Sequence, residues 1–354
     1  MRNSLSKIAS LVNDLLKADP FPDAIRPAFL ARAVRDYPCR GGKRLRPALT
    51  VWCCRLLGGS DRDALFPAAV IEVWHNWTLV HDDIIDQDAF RRGEPTSHTA
   101  LAAEMAEYRR EGRDAARLGE DFAILAGDLQ QAWANDLLLR AASVGVREDV
   151  VLAIANRMQR LGGVELISGE ALDIEFSLRP IESIHPSEVI EMFRLKTGTL
   201  LRLAAEAGAM VALGTPDFHD ERVRKLGEFA ELAGVAFQLR DDELGIFGDQ
   251  AKLGKMIGND LKEAKPTVLL LTTLAHLEPD GREELLGFLH RERYDKVEIA
   301  RVRELMRSSG AADEVAALAR RYANEACAIL NAFPAGSVRG HLEELIEYLV
   351  SRDK

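Results

Sequence analysis

A chain of 354 residues that is 47% hydrophobic, 29% charged and carries a net charge of −10 has apolar material for one large core or two ordinary ones. The acidic balance argues against a nucleic-acid binder, whose footprint is a basic patch. The four cysteines, Cys39, Cys53, Cys54 and Cys327, have neither CxxC nor Cys/His ligand spacing, and they read as reduced thiols of a cytoplasmic protein. The N-terminus lacks the apolar core of a signal peptide, and no apolar run reaches the length of a transmembrane segment.

Apolar spacing predicts a helix over 4–17, stopped by Pro20 and Pro22, and another over 25–37. After a polar break at 38–42 a third runs over 44–57 to Gly58 and Gly59. The stretch 68–93 follows. It is apolar almost all round from Val70 to Val80, as a buried helix is, and it ends in acid and then base. Residues 96–121 are polar and charged, predicting a helix plus a solvated surface excursion. Helices are then predicted over 122–139, 150–176, 186–213, 217–241, 260–277, 280–292, 311–333 and 340–351. With no strand alternation, no Ser/Gly linker and no solenoid repeat, the chain reads as one all-α domain over 1–354.

The chemistry starts with Asp82, Asp83 and Asp86. On a helix Asp86 shares a face with the other two, about 5–6 Å away. Carboxylates at the end of a buried helix carry a desolvation cost that a hard divalent cation relieves, and Mg²⁺, which binds through one or two carboxylates plus substrate phosphate, fits best. A lone DDxxD is more often a solvated helix end. A second apolar stretch, 226–242, also ends in paired aspartates, Asp241 and Asp242, followed by Glu243. Two such helices suggest facing acidic walls that need cations, and cations that need a polyanion. Lys43, Arg44 and Arg46 open the helix at 44–57, where free backbone N–H groups favour anions. Arg91, Arg92, Lys196 before Thr197, Lys255 after Gly254, and Lys265 before Pro266 repeat the theme of a cation at a turn. His75 is by default a satisfied core histidine.

GGKRLRP, HDDIIDQDAFRRG, GEALD, KTGTL, QLRDDELGIFGD and GKMIGNDLKEAKPT, in this order, resemble the motifs of the trans-isoprenyl diphosphate synthases, or polyprenyl synthetase family, over about residues 40–270. The resemblance implies a bundle of about ten or more antiparallel helices around a deep central cavity, in a homodimer. It implies a prenyltransferase of the short-chain type, geranylgeranyl or farnesyl diphosphate synthase-like. Its substrates would be isopentenyl diphosphate and an allylic diphosphate, and its cofactor about three Mg²⁺ ions. Asp82, Asp83 and Asp86 fall on the first aspartate-rich motif and Asp241 and Asp242 on the second, as metal ligands. Lys43, Arg46, His75 and Arg92 match the positions that hold isopentenyl diphosphate. Arg91, Lys196, Thr197, Gln238, Lys255 and Lys265 match the shell around the allylic diphosphate. Among all of these, the three aspartates of the first motif, Arg91, Lys196, Asp241 and Lys255 are the expected catalytic set.

Two departures stand out: Gly245 occupies the place of a third aspartate in the second motif, and the segment between His98 and Gly127 is longer than in compact members. Product length is expected to depend on Trp77, about 7.5 Å along the helix axis from Asp82, with Trp74 one turn deeper. Small Thr78 favours a twenty-carbon product and the bulk of Trp77 a fifteen-carbon one. Of the alternatives, a terpene cyclase has no need of the GGKRLRP cradle, and a non-catalytic partner subunit would have degraded aspartates where the first motif is intact. A helical scaffold with incidental acidic clusters would bind no diphosphate.

Overall fold

A computed structural model describes residues 1–108, 114–248, 259–291 and 293–351. The regular structure is almost entirely helical. In chain order the helices are α1 (Arg2–Ala18), α2 (Ala28–Cys39), α3 (Leu45–Leu56), α4 (Asp61–Ile85), α5 (Ser97–Tyr108) and α6 (Ala115–Arg140). There follow α7 (Glu148–Met158), α8 (Leu166–Ser177), α9 (Pro186–Phe193), α10 (Thr199–Leu213) and α11 (Glu221–Phe247). Helices Asn259–Lys262, Val268–His276, Pro279–Leu286, Lys296–Ser308, Ala311–Leu330 and Ser337–Ser351 follow among the described residues. The chain forms two compact units, residues 1–158 with 203–224, and residues 159–202 with 225–354.

The first unit is built around α4, which packs on α3 and α6, while α5 packs on α6. Ser60 caps α4 by accepting the Asp63 N–H at 3.3 Å, and Asp61 and Asp63 place negative charge at the positive end of the helix dipole. Every residue from Pro67 to Trp74 is buried, as the all-round apolar pattern requires. Trp52, Trp74 and Trp133 are the largest side chains wholly removed from solvent here. A buried ion pair ties α7 to α10: Arg157 donates to both oxygens of Glu206, at 2.6 and 2.8 Å. No helix among the described residues is long and apolar enough to cross a membrane.

In the second unit the helix Val268–His276 is buried from Val268 through Leu274 and packs on α9 and on the helices Lys296–Ser308 and Ala311–Leu330. Phe176, Phe193, Leu239 and Met306 belong to the same apolar cluster.

Several elements differ from the sequence-based expectation, each for a local reason. The stretches 150–176 and 186–213 are not single α-helices. A π-helical turn, Gln159–Glu165, precedes α8, and another, Arg194–Gly198, joins α9 to α10. The helix expected over 260–277 is interrupted at Pro266, which lacks an N–H, and restarts with Thr267 as its cap, accepting the Leu270 N–H at 3.1 Å. The helix expected from 122 begins at Ala115 because Asp114 caps it, accepting the Ala116 N–H at 3.0 Å. Helix Lys296–Ser308 was hidden by its charge, although Asp295 supplies a full capping box with Glu298. A small hairpin also escaped the pattern: β1 (Phe90–Arg91) pairs with β2 (Glu94–Pro95) across a two-residue turn. Its turn residues, Arg92 and Gly93, have φ of 56° and 82°, as a tight I′ hairpin demands. Strands of two residues are too short to alternate.

Removing one partner of a buried pair leaves the other charge uncompensated. Glu206→Ala is therefore expected to destabilise the first unit by about 3 kcal/mol, read as a lowered midpoint in urea unfolding, with a smaller loss for Glu206→Gln.

Candidate active site

The segment that opens α3 is a left-handed turn. Gly41, Gly42 and Arg44 have φ of 91°, 136° and 51°. The positive φ favours glycine at position 42, and the Arg92 guanidinium lies so close that a Cβ there would stand 2.8 Å from one of its nitrogens. Arg92 thus passes over the turn and donates to the Gly41 carbonyl at 3.5 Å. In the first turn of α3, Arg46 lies 3.1 Å from Nε2 of His75 on α4. A guanidinium only donates, so Nε2 accepts, and His75 is neutral with its proton on Nδ1. Burial, reinforced by Arg46 and Arg92, drives the His75 pKa well below its ordinary value. Burial also pulls Arg46 down to about 10. Its Nε is buried and finds no acceptor among the described residues, leaving a charged donor unsatisfied beside a neutral imidazole. Lys43 is exposed at the same turn. The structure thus joins Arg46 to His75 and brings Arg92 to the glycine turn.

At the other end of α4 the three aspartates separate into two and one. Asp82 and Asp86 each offer a carboxylate oxygen within 4.8 Å of the other. Asp83 is wholly buried: it accepts a short hydrogen bond from the Tyr37 hydroxyl and another from Arg91 Nε at 2.6 Å. Arg91 also reaches Asp82 at 3.0 Å. Burial, with Asp83 adding to it, raises the Tyr37 pKa far above the ordinary phenol range, so its proton stays on the bond. Asp83 is therefore committed to Tyr37 and Arg91. Asp86 sits at the C-cap of α4, where a carboxylate meets the negative end of the helix dipole. A cation relieves that conflict, and the oxygen-only donors of Asp82 and Asp86 fit Mg²⁺. Two turns back, the Trp74 and Trp77 rings meet edge to face at 4.9 Å, and Trp77 meets His81 at 5.9 Å. Thr78 turns its hydroxyl to the His75 carbonyl at 2.8 Å.

In the second unit, Lys196 bridges Glu170 at 2.8 Å and Asp173 at 2.7 Å, and Lys265 reaches the same Asp173 oxygen at 2.9 Å. Burial would raise the Asp173 carboxyl, but Lys265 and Lys196 outweigh it and hold it below the usual range. Gly169 makes this approach possible, since a Cβ there would lie 2.3 Å from the Lys196 backbone nitrogen. Lys196 and buried Thr197 both sit in the π-turn, a backbone irregularity common at functional sites. Glu170 and Asp173 went unassigned in the sequence reading; their signal was GEALD, two carboxylates three residues apart on one helical face. On α11, Asp241 is exposed, and Gln238 and Asp242 are partly buried. Glu243 is taken up by Arg240 at 2.7 Å, and Gly245, one turn beyond Asp241, offers no third carboxylate. Lys255 lies outside the described residues.

Two cation clusters with paired aspartates on two helices are the parts of a diphosphate-handling enzyme. The sequence profile described as polyprenyl synthetase matches residues 27–306. The chain belongs to the polyprenyl synthetase family. It is 35% identical to geranylgeranyl pyrophosphate synthase of Geoglobus acetivorans over 98% of this chain and 97% of that one. It is 33% identical to geranylfarnesyl diphosphate synthase of Aeropyrum pernix, over 94% of this chain and 96% of the relative. Its fold is similar to the crystal structure of geranylgeranyl pyrophosphate synthase from Corynebacterium glutamicum complexed with isoprenyl diphosphate and magnesium. The TM-score is 0.85 at 28% identity, covering 98% of this chain and 99% of that one. This polyprenyl synthetase is accordingly an all-α prenyltransferase of the short-chain type, in a family that depends on Mg²⁺.

The neutral state of His75 has a consequence for stability. The unfolded imidazole titrates near its ordinary 6.5 while the folded one resists protonation, so below that pH the unfolded state binds more protons and stability falls. His75→Gln is expected to flatten this decline between about pH 7 and pH 5, checked by urea unfolding across that range.

Proposed function

We propose that this polyprenyl synthetase condenses isopentenyl diphosphate with dimethylallyl, geranyl or farnesyl diphosphate to give a trans-prenyl diphosphate of fifteen or twenty carbons. The observation that carries the reading is that α4 bears both halves of the chemistry. His75 lies against Arg46, and Asp82 with Asp86 follows about 10 Å further along the helix axis.

In this reading Lys43, Arg46, His75 and Arg92 hold isopentenyl diphosphate, and the unsatisfied Arg46 Nε gains an acceptor. Arg91, Lys196, Thr197, Gln238, Lys255 and Lys265 surround the allylic diphosphate. Asp82 and Asp86, with Asp241 and Asp242, would hold Mg²⁺, about three ions by family resemblance, whose charge would neutralise the departing diphosphate. Asp83 acts one step back, holding Arg91 in place. Fixed cations stabilise the leaving group, and the allylic C–O bond breaks to a carbocation. The cradle then presents the double bond of isopentenyl diphosphate to that cation, so that bond formation is a matter of position. Loss of a proton to the departed diphosphate completes one elongation. Trp74 and Trp77 wall the path of the growing chain and exclude water from the cation.

The two units work as one catalytic domain over 1–354, a reading supported by relatives that match nearly the whole chain. A homodimer is supported by apolar side chains left exposed on two helices and at the end of one, Ile124 and Leu125 on α6, Ile167 and Ile174 on α8, and Leu178 at its C-cap. The unpaired thiols, buried or half-buried, suit a cytoplasmic location.

Purified protein given Mg²⁺, labelled isopentenyl diphosphate and each allylic primer in turn is expected to form labelled prenyl diphosphate, and Asp82→Ala to lower kcat at least about a hundredfold. Absence of product with every primer overturns the reading. Trp77→Ala is expected to lengthen the product, as seen by chromatography of the dephosphorylated alcohols; an unchanged length removes the two indoles as the chain-length wall.

A further inference from the structure

The cation cradle contains one arginine that faces no ligand. Arg44 stands between Lys43 and Arg46, yet it is only 3% exposed and its guanidinium is fully engaged. One terminal nitrogen donates to Glu72 in a short contact, the other to the Pro38 carbonyl at 2.5 Å, and Nε to Asn13 Oδ1 at 2.9 Å. Its backbone is left-handed, with φ 51° and ψ 38°, a conformation that a residue with a side chain adopts only when its surroundings compel it. Glu72, 6% exposed, stands on α4 one turn before His75 and on the same face. Asn76 fixes the carboxylate by donating to Glu72 Oε1 at 3.1 Å while anchoring to the Glu72 carbonyl at 2.6 Å.

We infer that Arg44 and Glu72 form a buried clamp that sets the position and charge of the isopentenyl diphosphate cradle, so that both are positioning residues for that substrate. The inference rests on the proposed reading of Lys43, Arg46, His75 and Arg92 as that cradle. The clamp joins the N-cap residue of α3 to α4, and thereby determines where Arg46 meets His75. The Glu72 carboxylate compensates Arg44, and its charge also acts on Arg46, opposing burial and the repulsion of Arg92. The cradle therefore holds a counter-charge that is out of reach of solvent, and Arg46 stays charged with one donor left over. A buried ion pair is a poor source of net stability, since apolar residues of similar volume often replace it without loss. What such residues lack is the direction of the four hydrogen bonds.

That difference makes the test. In Arg44→Met/Glu72→Leu the thermal midpoint is expected to stay close to that of the parent protein, whereas KM for isopentenyl diphosphate rises at least about tenfold, the scale of one lost charge-assisted hydrogen bond. KM for the allylic diphosphate and kcat at saturation are expected to stay within about twofold. Glu72→Gln, which keeps the shape and removes the charge, is expected to show the same split in smaller measure. A folded variant with unchanged KM for isopentenyl diphosphate, or one in which both substrates lose equally, overturns the clamp. Arg46→Met separates the two levels. If it leaves KM for isopentenyl diphosphate unchanged, the cradle reading itself falls; if it raises that KM while the Arg44 and Glu72 variants do not, only the clamp falls.

Discussion

The structure of the first unit depends on how charge is carried by a buried helix. An ionised side chain withdrawn from water is tolerated only when paired and hydrogen-bonded, and α4 meets that condition turn by turn. Glu72 is answered by Arg44 and Asn76, and Asp83 by Tyr37 and Arg91. His75 meets the condition differently, by giving up its charge and accepting from Arg46. Apart from Asn76, on α4 itself, the partners come from neighbouring segments: Arg44 and Arg46 from the opening of α3, Tyr37 from α2 and Arg91 from β1. The helix thus acts as a template on which the glycine turn, the β1–β2 hairpin and α2 are fixed by charge as well as by packing.

The same logic runs through the second unit with one acid serving two cations. There one half-buried carboxylate, Asp173, gathers two lysines brought in by unrelated turns, Lys196 from a π-helical turn and Lys265 from a proline break. Their shared partner keeps both ammonium groups together despite their repulsion. In both units regular helices carry the anchoring acid, whereas the cations come mostly from irregular backbone: the left-handed turn at 41–44, the I′ turn at Arg92, the π-turn at Lys196. Backbone N–H groups and mobile cationic side chains at such turns can adapt to a ligand, while carboxylates on helices stay where the dipole and the packing put them.

The interaction geometry sorts residues that look equivalent in a motif. Asp82, Asp83 and Asp86 are one string of letters, but Asp83 points into the core while Asp82 and Asp86 remain a pair. Lys43, Arg44 and Arg46 are likewise one string, and Arg44 is the one removed from the surface. In the second motif Glu243 is drawn to Arg240, leaving Asp241 and Asp242 as the acidic pair. In each case the residue turned from the ligand is held by named neighbours: Asp83 by Tyr37 and Arg91, Arg44 by Glu72 and Asn13, Glu243 by Arg240. The motif therefore contains both the groups that meet substrate and those that hold them.

The sequence by itself determined the helical class, the burial of α4, the two acidic ends and the family, because these depend on local periodicity, residue type and the order of motifs. It was blind to the π-turns, the hairpin and the break at Pro266 in helix 260–277, where a few residues of backbone geometry override an apolar pattern. Only the tertiary structure decided which carboxylates and cations are spoken for. That choice is made by partners far along the chain, Tyr37 for Asp83 and Asn13 for Arg44, and no local window of sequence contains both members of such a pair.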